Sequence, residues 1–80
     1  MIETRLLRQF VAVAEELHFH KAAARLHMAQ PPLSQAIGRL EDKLGFSLFL
    51  RNKRGVRLTA AGTAFLDTAP RIFRQAMVEA

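Results

Sequence analysis

Gln30 and Ser34 stand one helical turn apart, and so do Gln35 and Arg39. Amide, hydroxyl and guanidinium groups at that spacing hydrogen-bond to a partner along the side of a helix; they do not make a reaction centre. A glutamine amide at Gln30 can pair with adenine N6 and N7, or can cap its own helix. Ser34 and Gln35 can reach a phosphate or a base edge, and Arg39 a phosphate. Arg39 is equally placed to pair with Glu41 or Asp42 nearby. Pro31 and Pro32 offer rigid apolar rings to thymine methyls, or simply start the helix. Ser34 and the histidines form no set of nucleophile, base and orienting group, and there is no glycine-rich phosphate loop. No enzyme is expected.

Other cations complete the set. His20 and Lys21 open a second short helix, where a helix N-terminus already favours anions. Arg51, Lys53, Arg54 and Arg57 cluster with no acid between them. In residues 1–50, by contrast, Arg5, Arg8, Lys21, Arg25, Arg39 and Lys43 nearly balance Glu3, Glu15, Glu16, Glu41 and Asp42. A net charge of +5 on 80 residues fits a polyanionic partner. His18, His20 and His27 suggest a metal, but no acid lies between them and the chain has no cysteine. Neither a metal nor another cofactor is expected.

The elements that must position these groups follow from hydrophobic spacing. Leu7, Phe10, Val11, Ala14 and Leu17 predict a first helix from about Thr4 to His18, capped by Thr4, with Arg8, Gln9, Glu15 and Glu16 elsewhere on the wheel. Phe19-His20 should turn the chain into a second helix from about His20 to His27, with Ala23 and Leu26 inward. A break of two or three residues leads to a third helix from about Pro31, whose Leu33, Ile37, Leu40 and Leu44 share one face. Gly45 should end it. Two helices joined so closely cross steeply, which is the helix-turn-helix arrangement. Gly38 inside the third helix costs about 1 kcal/mol against alanine and implies close approach to DNA or to another helix.

After Gly45, Phe46, Leu48 and Leu50 alternate, residues 51–55 read as a turn, and Val56-Arg57-Leu58 alternate again. This predicts a β-hairpin with a basic tip, a wing whose Arg51, Lys53 and Arg54 enter a minor groove. Thr59 should cap a last helix running to about Glu79. That helix has two apolar rows, Ala61, Phe65, Ala69, Ile72 and Ala76, and Leu66, Phe73 and Met77. One row suffices for packing on the domain, so the second calls for a partner copy. Phe65, Leu66, Ala69, Ile72, Phe73, Ala76 and Met77 are the candidate dimer residues. Pro70 should kink the helix. No apolar run approaches the roughly 18 residues of a membrane span, and charges interrupt the N-terminus, so a soluble cytoplasmic protein is expected.

These residues resemble the N-terminal domain of LysR-type transcriptional regulators. The pattern comprises Leu7 and Phe10; Ala22-Ala23 and Leu26; Gln30-Pro31, Leu33 and Ser34; Leu40-Glu41, Leu44 and Gly45; Leu48-Phe49 and Arg51; and Leu58-Thr59 with Ala61-Gly62. Six such fragments in order are highly specific. The resemblance implies a mainly α fold: a winged helix-turn-helix of three helices and a two-stranded hairpin, followed by a long linker helix that pairs two subunits. Residues 1–59 would form the DNA-binding domain (helix-turn-helix about 19–38, wing about 48–58), and 60–80 a truncated linker helix. The implied function is sequence-specific binding of double-stranded DNA at an interrupted inverted repeat, as part of a bacterial regulator. The implied assembly is a homodimer, with a tetramer open to the intact protein. A small-molecule effector would bind a C-terminal domain absent from this chain. Three positions depart from the pattern: His20, taken as the second helix's cap, where Ser or Thr is usual; Gln35 for Arg; and Leu50 for an acid. The rival reading is a winged-helix protein-interaction module, against which the basic wing argues.

Overall fold

Apolar residues at steps of three and four make one side of the first helix hydrophobic, and burial of that side organises the domain. The computed structural model describes residues 3–68. Within them, α1 spans Thr4–Glu16, α2 Phe19–Arg25 and α3 Gln30–Leu44, followed by β1 (Phe49–Asn52) and β2 (Gly55–Leu58). Residues 60–68 are helical and are called α4. The architecture is the expected one, mainly α with a hairpin wing.

Leu7, Phe10 and Val13 of α1 pack on Leu33, Ile37 and Leu40 of α3, and Ala22 and Ala23 of α2 join the same core. Phe10 is fully buried and lies at the centre of an aromatic cluster. Its ring is 5.4 Å from that of Phe49 in the wing and meets Phe65 of α4 edge-on at 5.0 Å. Phe19 of α2 meets Phe49 at 6.2 Å. Such pairs add about 0.5–1.5 kcal/mol each beyond the area they bury, so the cluster ties α1, α2, β1 and α4 together.

Several local expectations change. Glu3, not Thr4, is the N-cap of α1, and it makes no side-chain cap bond. The helix stops at Glu16, short of His18, because Leu17 turns left-handed (φ 50) with its N–H on the Val13 carbonyl. Gln9 is not on the solvent side: it is 8% exposed, and its Nε2 donates to Met28 Sδ at 3.7 Å. Phe19 is buried inside α2, not in the turn before it. In the wing, Phe46 and Leu48 precede the strand and Arg51 and Asn52 belong to it, so the turn is only Lys53-Arg54. The expected C-terminal part of the last helix, with Pro70, Ala69, Ile72, Phe73, Ala76 and Met77, lies outside the described residues. Among the described residues, no helix is long and apolar enough to cross a membrane.

Candidate nucleic-acid interface

His18 sets the start of α2. Its Nδ1 accepts from the Lys21 backbone N–H at 3.2 Å, so His18 is the N-cap, and His20, expected in that role, lies within the first turn. The helix then ends in a Schellman motif. The N–H of Met28 reaches the Ala23 carbonyl at 2.9 Å and that of His27 the Ala24 carbonyl at 3.1 Å. His27 holds the left-handed position, φ 56, where glycine is usual. No periodicity revealed this residue, yet it ends α2 and turns the chain toward α3. Arg25 braces α2 from the other side with ion pairs to Glu15 (2.6 Å) and Glu16 (3.3 Å) at the end of α1. The Glu15 hydrogen bond raises the Arg25 pKa further above its usual range.

α3 begins at Gln30 without a side-chain cap bond. Pro31 and Pro32 in its first turn have no N–H to leave unpaired. Leu33, Ile37 and Leu40 are completely buried, and that anchorage turns the opposite side outward. Pro31, Pro32, Gln35 and Arg39 are exposed there, with Gln30 and Ser34 half-buried beside them. Gly38 also lies on this helix, and no other part of the described chain would come within 4 Å of a Cβ there. Close packing against another helix of the described domain is therefore not its role.

Arg39 does not pair with Glu41. The Glu41 carboxylate instead accepts the backbone N–H groups of Leu48 (2.7 Å) and Phe49 (3.2 Å), anchoring the wing to the end of α3. In sequence Glu41 stood as a partner for Arg39 and as a position of the family pattern; its reach to a loop seven residues on carries no sequence signal. Thr59 secures the other side. Its Oγ1 donates to the Ser47 carbonyl at 2.7 Å and accepts from Gly62 N–H at 2.9 Å, as an N-cap of α4. Gly62 lies so close that a Cβ would sit 2.0 Å from the Leu48 carbonyl oxygen.

At the wing tip, Lys53 and Arg54 are exposed, and Asn52 Oδ1 accepts the Arg54 N–H at 2.8 Å to shape the turn. Arg51 is not at the tip. Its guanidinium stacks on Phe19 at 4.1 Å, and its Nη1 donates to Ser34 Oγ at 2.6 Å. The structure thus brings Arg51 to the start of the helix-turn-helix. His20 and Lys21 are exposed at the start of α2. Among the described residues, Lys21, Arg39, Lys53 and Arg54 have no ion-pair partner, so their charge faces outward. Phe65 and Leu66, assigned to a dimer face, are both partly buried against the domain's own core.

The sequence profile of a family described as bacterial regulatory helix-turn-helix protein, lysR family, matches residues 4–63. The chain belongs to the LysR family. Among its relatives, the HTH-type transcriptional regulator AlsR of Bacillus subtilis (strain 168) is 61% identical over 66 residues, covering 82% of this chain and 22% of the relative. ShiR of Corynebacterium glutamicum (strain R), also an HTH-type transcriptional regulator, is 58% identical over 77 residues, 96% of this chain and 26% of ShiR. The chain therefore spans about a quarter of the length of these two relatives. Among solved structures, the CbnR DNA-binding domain in complex with DNA superposes with a TM-score of 0.94 at 46% identity, over 98% of this chain and 90% of that one.

Proposed function

We propose that this LysR-family domain binds double-stranded DNA sequence-specifically, as the reading head of a dimeric bacterial transcription regulator, and is not an enzyme. The observation that carries the reading is the exposed side of α3. Gln30, Pro31, Pro32, Ser34, Gln35 and Arg39 line it, while its opposite side is buried. An α-helix so presented fits the major groove, where an amide reads adenine and proline rings meet thymine methyls. Lys21, with His20 beside it, flanks the helix start in reach of phosphate. Lys53 and Arg54 project from a hairpin of a size to enter the neighbouring minor groove. The CbnR domain, of the same shape, was crystallised with DNA, which supports the reading.

The last helix is the proposed dimer element. It would set two copies of α3 on successive faces of an inverted repeat. Phe65 and Leu66 begin it against the core, so the pairing surface is their remaining exposed area together with the residues after 68. An effector, in this reading, binds a further domain outside this chain, and the intact protein works in the cytoplasm. Selection of bound duplexes from a random pool tests the proposal. An enriched inverted repeat is expected; a pool that stays random would reject sequence-specific binding.

A further inference from the structure

Arg51 and Ser34 meet in a way that separate phosphate contacts would not require. A serine hydroxyl has one proton to donate and two lone pairs with which to accept, whereas a guanidinium only donates. Arg51 Nη1, at 2.6 Å, therefore occupies a lone pair of Ser34 Oγ and leaves the proton to point elsewhere. Helical serines and threonines commonly return that proton to the carbonyl four residues back. Thr63 and Thr68 do so, to Thr59 and Ala64, at 3.1 and 3.2 Å. Ser34 makes no such bond among the described residues, and its side is the exposed side of α3. Arg51 is itself held in place. Its Cζ lies 4.1 Å above the Phe19 ring, which is 8% exposed and packs edge-on against Phe49 of the strand that carries Arg51.

We propose that Arg51 is a positioning residue that fixes Ser34 as a hydrogen-bond donor toward the major groove. Ser34 then selects a base edge that accepts: a purine N7, guanine O6 or thymine O4. It disfavours the amino groups of adenine N6 and cytosine N4, which only the remaining lone pair of Oγ could accept. An unconstrained serine would accept from those amino groups as readily as it donates, so the contact from β1 gives α3 a selectivity it would lack alone. This inference rests on the DNA-binding reading above.

The test measures base preference at every position of the selected site, by competition with single-base variants, for the wild-type domain and for Ser34→Ala, Arg51→Lys and the double variant. Ser34→Ala should lose about two- to tenfold preference at one position in each half-site, the worth of one hydrogen bond. Arg51→Lys keeps the charge and loses the planar stack. It should lose the same preference at the same position, with the salt dependence unchanged. The double variant should lose no more than either single one. Phe19→Leu, which keeps an apolar side chain in the core but removes the aromatic platform under Arg51, should reproduce part of the loss if Arg51→Lys folds poorly. Additive losses, or a loss at a different position, would show that Arg51 contacts DNA on its own account and overturn the proposal. An equal loss on all sequences with Ser34→Ala would place Ser34 on phosphate and overturn it too. Failure of the underlying reading is separate: the wild-type domain would then show no base preference at any position.

Discussion

In the proposed reading Gln30 carries base recognition, because it stands half-buried at the start of α3 beside the exposed Pro31 and carries both an amide donor and an acceptor. Gln30→Ala is expected to relax preference at one base pair in each half-site by about 1–3 kcal/mol, measured by competition with single-base variants. Uniform weakening on all sequences would make Gln30 structural. His27 is expected to be of the opposite kind, shaping the turn without reading bases. It occupies the left-handed position of the Schellman turn at φ 56, a conformation that costs a residue with a Cβ roughly 1–2 kcal/mol. His27→Gly should raise unfolding stability by about 1 kcal/mol in urea titration and leave base preference intact. A loss of stability would mean that the imidazole contributes more than its backbone strain removes.

Between helices and hairpin, the connections decide the geometry, and these were the least legible part of the sequence. The apolar faces of α1 and α3 were readable because Leu33, Ile37 and Leu40 repeat with the helix. The Gly45 ending of α3 and the Thr59 cap of α4 were readable from residue type and position. The His18 cap was not, since an imidazole serves there in place of a hydroxyl. Nor were the Glu41 anchor and the inward turn of Arg51, which depend on contacts between elements. Gly62 marks the tightest of these junctions. A methyl group there would strike the Leu48 carbonyl, so Gly62→Ala should cost about 1–3 kcal/mol or more, read from denaturant midpoints, and should loosen the wing. Gly38→Ala is the control. It meets nothing within 4 Å and should gain about 1 kcal/mol of helix propensity. A Gly62→Ala domain as stable as the wild type would show that α4 shifts freely on the wing.

For the whole molecule, the proposed reading needs two copies, because one recognition helix spans only half of an inverted repeat. Sedimentation across micromolar concentrations should show dimers, and Phe73→Asp should abolish them and weaken operator binding. Dimers that persist in that variant would put the interface on another face of the last helix. An outward-facing cationic frame around a helix that reads sequence must show itself when a selected operator and an unrelated duplex are titrated at a series of salt concentrations. The operator should bind about 10³-fold tighter or more. Affinity for both duplexes should fall steeply with salt, and Lys53→Ala with Arg54→Ala should flatten the slope by roughly one unit per lost phosphate contact. Equal affinity for the two duplexes, or binding indifferent to salt, would contradict the account.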